Sequence, residues 1–153
     1  WIPAVNILEE TTMKKYLVPV ILLAMASLFT ASCGKNNGDV AAVLGHGFPL
    51  AIGQTAMIDG EELEIKFIEI LEDSRCPAGA QCVWEGRVSA RVEFKDSAGS
   101  YKMVLVQSGS DSGYVEESYK DYLISYKITP YPQQNEEIEK QNYRLLLTIH
   151  RDQ

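Results

Sequence analysis

Apolar and polar residues alternate along most of the chain from about residue 48 onward, which is typical of β-strands that place one face in a core. In residues 88–94 every second residue is apolar, and the residues between are serine, arginine and glutamate. The same alternation recurs in residues 101–106, 122–128 and 143–149. We count six or seven such strands and no convincing helix in this part of the chain. The pattern predicts an all-β fold, an antiparallel, immunoglobulin-like β-sandwich, with a small β-barrel as the alternative.

Turn-forming residues and one break in the alternation divide these strands. Asp59 and Gly60 stand between two apolar runs, and because both residue types accept a positive φ, they predict a β-hairpin. After Phe67 the alternation slips by one residue, which predicts a β-bulge or a bend between two sheets. Pro130 is expected to end the strand before it, since proline has no amide proton to donate. The charged stretch 135–141 is compatible with one short helical turn.

An apolar run of a different kind precedes the strands. Met13 is followed by two lysines, and residues 17–29 are mostly apolar. This arrangement is typical of a secretory signal peptide and is too short for a bilayer span of roughly 20 residues. The sequence T-A-S-C that ends at Cys33 resembles the lipobox of bacterial lipoproteins, with threonine where leucine is commoner. The resemblance implies that Cys33 carries lipid and becomes the mature N-terminus. An ordinary secretory signal and a transmembrane anchor are the alternatives.

These signals divide the chain into four parts. Residues 1–12 match no pattern, residues 13–32 form the predicted lipoprotein signal peptide, and residues 33–47 form a Gly- and Asn-rich tether. Residues 48–153 form the predicted sandwich domain. Gly34 stands where the inner-membrane retention signal of enterobacterial lipoproteins has aspartate. We therefore expect a lipid-anchored protein of the bacterial cell envelope. The outer membrane, with the domain facing the periplasm, is favoured, and the other membrane and face stay open as alternatives.

The charge balance narrows the choice of partners. The 153 residues carry 14 basic and 21 acidic side chains, which gives a net charge of -7. A nucleic-acid partner is not expected, because phosphate binding requires a basic surface. No phosphate-binding loop or dinucleotide motif occurs in the sequence, and we predict no cofactor.

Three cysteines are an odd number, and the predicted anchor accounts for one of them. If Cys33 carries lipid, Cys76 and Cys82 remain as an even pair in an exported chain, which favours a disulfide between them. A metal site is the weaker reading, since two cysteines at this spacing without a neighbouring histidine do not complete a tetrahedral set of ligands. Free thiols are the remaining alternative.

The segment around these cysteines carries a recognisable pattern. Residues 73–86 contain D-S-R-C-P followed by C-V-W-x-G, which resembles a signature of bacterial secreted proteins and lipoproteins to which no activity is assigned. The resemblance covers about residues 48–150 and bears on fold and location rather than on chemistry. Asp73 and Arg75 are expected to brace the loop by hydrogen bonds or an ion pair, and Trp84 to cap the core under it. A rigid recognition edge formed by the same loop is the alternative, because an ordered loop binds at a lower entropic cost.

No catalytic constellation accompanies these features, and we do not predict an enzyme. The two histidines, His46 and His150, lie far from any recognisable nucleophile motif. The sequence therefore favours a binding or structural module with an unidentified protein or glycan partner. One alternative is an inhibitor of an envelope protease that inserts the Cys76–Cys82 loop, around Arg75, into the cleft of its target. Another is a hydrolase that uses acidic residues, for which only the geometry of paired carboxylates could give evidence. Two acidic groups in the sequence are instead expected to solubilise a sheet edge: Glu61, Glu62 and Glu64, and Glu116, Glu117 and Asp121.

Overall fold

The computed structural model describes residues 38–110 and 113–152, which form two β-sheets packed face to face. The sheets do not close into a barrel, so the predicted β-sandwich is confirmed over its barrel alternative. The described residues form nine strands rather than six or seven. In chain order they are β1 (Val40–Ala42), β2 (Phe48–Ala51), β3 (Thr55–Ile58), β4 (Glu64–Asp73), β5 (Arg87–Asp96), β6 (Gly99–Ser108), β7 (Val115–Tyr119), β8 (Tyr122–Thr129) and β9 (Arg144–Arg151).

The strand order divides the chain between the sheets. One sheet has five strands in the order β1-β3-β4-β5-β6, and the other has four in the order β2-β9-β8-β7. Strands β3 to β6 are consecutive neighbours in one sheet, whereas immunoglobulin domains interleave their strands between sheets in a Greek key. The sandwich prediction is therefore confirmed, but the strand order is not that of an immunoglobulin domain.

The local predictions from turns and breaks agree with the structure. Gly60 has a φ of 76° in the turn between β3 and β4, which pair as an antiparallel hairpin. The pairing of β4 with β5 shifts register after Phe67, where the alternation slips, and shifts again after Ile70. Strand β8 ends at Thr129, directly before Pro130. A 3-10 helix, Lys140–Asn142, provides the short helical turn.

Strand β1 is the principal departure from the predicted organisation. Val40–Ala42 lies within the stretch predicted as tether, so the sheet begins earlier than residue 48. It also pairs parallel to β3, while every other pair of strands in the described residues is antiparallel. None of the helical segments in residues 38–110 and 113–152 is long and apolar enough to cross a membrane.

The core lies between the two inner faces, where the apolar positions of the alternating pattern meet. Both β5 and β9 contribute one fully buried side chain at every second position. Phe67 of β4 and Tyr126 of β8 are among the largest buried side chains of the core. Burying each such side chain contributes about 1.5–3 kcal/mol. On the outer face, arginine and lysine of β5 pair with glutamates of β4 across the strands; the pairs are Arg87 with Glu72, Arg91 with Glu69, and Lys95 with Glu64.

Candidate functional site

Residues 74–86, which we call the stapled loop, join β4 to β5 and close at one end of the sandwich. The Sγ atoms of Cys76 and Cys82 lie 2.09 Å apart, at the distance of the predicted disulfide. Backbone hydrogen bonds extend the hairpin into the loop, from Ser74 N to Arg87 O at 2.8 Å and from Cys76 N to Glu85 O at 2.9 Å. These bonds and the disulfide fix the loop at its base.

Gly86 explains why the sequence pattern ends in glycine. Its φ is 67°, and a Cβ atom added there would lie 1.8 Å from the carbonyl oxygen of Ser74. Such a contact is impossible without a backbone shift, so the two strands of the loop approach closely only because this residue has no side chain. The glycine therefore belongs to the rigid base of the loop.

Arg75 lies at the centre of the loop base and is only 4 % exposed. Its guanidinium donates to both carboxylate oxygens of Asp73, at 2.9 Å from Nε and 2.6 Å from Nη2. It also donates to two carbonyl oxygens at the end of β8, those of Ile128 within the strand at 3.1 Å and of Pro130 directly after it at 2.8 Å. The prediction that Asp73 and Arg75 brace the loop is confirmed. Because the guanidinium bonds to both sheets, it also ties the loop to the opposite layer of the sandwich.

Two tyrosines complete this base. The Tyr143 hydroxyl donates to Asp73 Oδ2 at 2.9 Å, and burial together with that carboxylate raises the pKa of Tyr143 to about 12. The Tyr131 ring lies 5.1 Å from the Arg75 guanidinium carbon, and its hydroxyl is 2.9 Å from the carbonyl oxygen of Cys76. Along the sequence, Tyr143 is only the first residue of an alternating run, and Tyr131 lies outside every such run. Neither gave a signal that it contacts the loop.

The far side of the loop has the opposite character. Val83 is 87 % exposed and Trp84 is 81 % exposed, and we call this pair the tip. The expectation that Trp84 caps the core is wrong. Arg75 and Tyr131 bond to the chain at the base of the loop, whereas the indole of Trp84 is exposed to solvent. Val83 and Trp84 thus expose two adjacent large apolar side chains, although contact of apolar surface with water is unfavourable.

The geometry limits the chemistry available at this loop. Arg75 is buried and bonded to Asp73 and to two carbonyl oxygens, so its side chain is not free to enter a protease cleft. The carboxylate of Asp73 is held by Arg75 and by the hydroxyl of Tyr143. Among the described residues no group of three or more histidine, cysteine or acidic side chains is placed to bind a metal ion.

The acidic residues grouped by the sequence are spread over the surface. Glu61 pairs with Arg151 at 2.7 Å and accepts a hydrogen bond from Tyr122 at 2.8 Å. The hydrogen bond from Arg151 lowers the pKa of the Glu61 carboxyl, which keeps it ionised and unsuited to act as a general acid. Glu64 pairs with Lys95 at 3.1 Å, across β4 and β5. These contacts are those of surface ion pairs.

A second cluster of polar and aromatic residues lies at the opposite end of the sandwich. Asp96 forms an ion pair with Lys120, and it accepts hydrogen bonds from Ala98 N at 2.8 Å and from the Tyr119 hydroxyl at 3.0 Å. The Lys120 ammonium lowers the pKa of Asp96 to about 2. A cavity of about 310 Å³ opens beside it and is lined in part by Tyr101 and Tyr119.

The predicted lipid site falls elsewhere. Cys33 lies outside the described residues, so the structure adds no observation on it. Comparison of the chain with protein-family models, with curated proteins and with solved structures gave no match.

Proposed function

We propose that the protein is a lipid-anchored binding module of the bacterial cell envelope, and that the tip of the stapled loop is the surface with which it recognises another protein. The observation that carries this proposal is the exposure of Val83 and Trp84 on a loop whose base is rigid. Trp is enriched among the residues that dominate protein interfaces, because its large apolar surface is desolvated on binding.

The fixed base of the loop supports binding in a second way. An interface residue that is already ordered loses little conformational entropy when a partner binds. The disulfide, the Arg75 hydrogen bonds and the close approach at Gly86 all order the chain on either side of the tip. We favour a protein over a glycan because the aliphatic Val83 beside the indole adds apolar area but no hydrogen-bonding group.

The proposal of an envelope location rests on the sequence around Cys33. A signal-like apolar run and a lipobox-like T-A-S-C would place an acylated cysteine a few residues before β1. One acyl chain alone binds a membrane only marginally, so a multiply acylated cysteine is required for a firm anchor. The domain would then meet its partner close to the membrane surface.

Site-specific photo-crosslinking tests the binding proposal. Trp84 in the full chain is replaced by the photoreactive amino acid benzoylphenylalanine, and cells of the bacterium that makes the protein are irradiated. We expect one discrete protein adduct. The matched control places the same group at Val43, which is 51 % exposed and lies outside the stapled loop. Equal adducts at both positions, adducts to lipid alone or no adduct at Trp84 would overturn the proposal.

Fractionation tests the anchor independently. We expect the full chain to sediment with membranes and mass spectrometry to find acyl groups on Cys33 at the mature N-terminus. The change Cys33→Ser is expected to prevent acylation and signal-peptide cleavage, leaving residues 13–32 attached. An unmodified protein that already retains residues 13–32, or that carries no acyl group, would refute the lipoprotein assignment and leave the crosslinking result to be judged by itself.

A further inference from the structure

Strand β6 is the last strand of the five-stranded sheet, and part of its outer edge has no partner. The Val106 amide donates to the Tyr126 hydroxyl at 3.0 Å, and that hydroxyl donates to the Val106 carbonyl at 2.7 Å. Both backbone groups of Val106 therefore point away from β5. Because successive residues of a strand point to opposite sides, those of Lys102 and Val104 point the same way. In the part of the chain that the structure describes, no strand lies beyond β6 to bond them.

The opposite sheet extends past this edge. Tyr119 of β7 faces inward, since its ring stacks on the buried ring of Phe94 at 4.5 Å. Glu117 lies two residues earlier on the same strand and shares the inward face. Glu117 is nevertheless exposed, and within residues 38–110 and 113–152 its side chain makes no ion pair or hydrogen bond. The inner face of β7 is therefore uncovered at Glu117.

Two contacts fix where Glu117 lies along β6. On one side, Val115 pairs with Tyr126, whose hydroxyl reaches Val106. On the other side, the Tyr119 ring lies 6.2 Å from that of Tyr101. Glu117 is midway between these two positions of β7, so it lies below the stretch of β6 between Tyr101 and Val106. This is the stretch that carries the unpaired backbone groups.

We propose that the edge of β6 and the uncovered face of β7 form a trough that binds an extended polypeptide segment with a lysine or arginine facing Glu117. The segment adds a strand beside β6 and bonds to the backbone of Lys102 and Val104. Side chains of an added strand alternate, so the residue two positions from the basic one lies over Tyr119. The cavity of about 310 Å³ beside Tyr101 and Tyr119 takes an apolar side chain at that position.

The negative charge of Glu117 and of the whole chain favours a basic segment as the occupant of the trough. A strand laid over Glu117 removes water from its carboxylate, and a buried carboxylate without a cation is strongly unfavourable. The net charge of -7 also attracts a basic segment. A second copy of the chain fits less well. If a two-fold axis normal to the sheet paired the β6 edges of two copies, both β7 strands would lie below the paired edges. Each strand would bring its own Glu117 there, and the two carboxylates would repel each other. The trough is separate from the tip, and the two surfaces are tested independently.

The test uses two synthetic eight-residue peptides of alternating threonine and valine. One has lysine at a central inward position, and its matched control has glutamate there. Calorimetry with the full chain is expected to show that the glutamate peptide binds about ten-fold more weakly or worse. Hydrogen exchange is expected to slow in residues 100–106 when the lysine peptide binds. Equal affinities, no binding at millimolar peptide, or protection confined to other strands would overturn the proposal.

Two pairs of variants locate the contacts. Glu117→Gln is expected to weaken the lysine peptide about five-fold, whereas Glu116→Gln, on the outer face of the same strand, leaves its affinity unchanged. Val104→Pro removes one edge amide and is expected to abolish binding, whereas Val104→Ala keeps the amide and most of the affinity. If Val104→Pro does not fold, the lysine peptide N-methylated at its β6-facing amides replaces it. Unchanged binding of that peptide, or a Val104-dependent dimer that the peptide does not disrupt, contradicts the proposal.

Discussion

The two ends of the sandwich each carry a cluster of an aspartate, a basic residue and tyrosine, in different surroundings. At the end of the stapled loop, Asp73 pairs with Arg75 and accepts a hydrogen bond from a tyrosine hydroxyl at 2.9 Å. At the opposite end, Asp96 pairs with Lys120 and accepts a hydrogen bond from a tyrosine hydroxyl at 3.0 Å. Each cation also lies over a tyrosine ring, at 5.1 Å and 5.5 Å.

Burial separates the two clusters. The Arg75 side chain is buried, while that of Lys120 is 48 % exposed. The Arg75 guanidinium spreads its donors over a carboxylate and two carbonyl oxygens, and it therefore joins the end of β4 to the end of β8 in the other sheet. The ammonium of Lys120 keeps much of its hydration and holds one hairpin turn to the next. The comparison shows that an ion pair beside a tyrosine holds the two sheets together where it is buried, and contributes little to stability where water solvates it.

The largest expected effect comes from removing the buried cation. Arg75→Ala leaves the Asp73 carboxylate buried without its partner and is expected to lower the free energy of unfolding by about 3–5 kcal/mol. The melting temperature should fall by about 12 °C or more, as measured by circular dichroism. Arg87→Ala, which breaks an exposed pair, is the control and should cost about 1 kcal/mol or less. Similar losses for the two variants would refute the distinction between buried and exposed pairs.

The disulfide adds a smaller contribution at the same end. The double change Cys76→Ser with Cys82→Ser opens a short loop and is expected to lower the free energy of unfolding by about 2 kcal/mol. Urea unfolding measured with and without reductant provides the check. Reductant should destabilise the unmodified protein and leave the double variant unchanged. A double variant as stable as the oxidised protein would show that Arg75 fixes the loop without the disulfide.

Tyr143→Phe removes one hydrogen bond from Asp73 and is expected to cost about 1–2 kcal/mol. Its pH dependence is more diagnostic. The folded protein holds the pKa of Tyr143 at about 12, above the ordinary value of 10.0, so the unfolded chain loses its proton first. Stability from this group is complete below pH 10 and is lost as the pH rises toward 12. Tyr143→Phe should lack that part of the alkaline loss, and identical alkaline curves would contradict the assignment.

The exposed cluster of Asp96 and Lys120 should contribute least to the free energy of unfolding. Its contribution is lost at acid pH, whereas that of Tyr143 is lost at alkaline pH. The pKa of Asp96 is about 2, below its ordinary value of 3.8, so its contribution is present above pH 4 and is lost as the pH falls through 2. Asp96→Asn should flatten this part of the acid unfolding curve. Because Lys120 is half exposed, 1 M salt should weaken the contribution of this cluster more than that of Arg75. Equal salt sensitivity at the two ends would contradict the comparison.

Much of the fold was predictable because alternation is a local signal. The inner positions of β5 and β9 and the register shift after Phe67 follow directly from the apolar pattern. Strand β1 did not, because three small or branched residues are too few to display an alternation, and its parallel pairing with β3 is decided by packing. The strand order between the sheets also depends on contacts far apart in sequence.

The candidate site was predictable only in its local part. Asp73 and Arg75 are two residues apart, and their pairing follows from proximity and charge. Tyr143 is 70 residues from Asp73, and no pattern along the chain connects them. The prediction for Trp84 was wrong because it rested on the general tendency of Trp to be buried. That tendency does not say which side chain a particular loop buries. In this loop the buried side chain is that of Arg75, a residue type that is rarely buried.

The hydroxyl of Tyr126 has a consequence for solubility. By bonding both backbone groups of Val106, it ends the open run of the β6 edge, which is left with the backbone groups from Ser100 to Val104. Segments that stack into amyloid-like sheets are typically six or seven residues long. The edge that remains is shorter and carries the charge of Lys102, which discourages edge-to-edge aggregation. The Tyr126 hydroxyl therefore leaves an edge long enough to pair with one short added strand but too short to serve as a template for fibril growth.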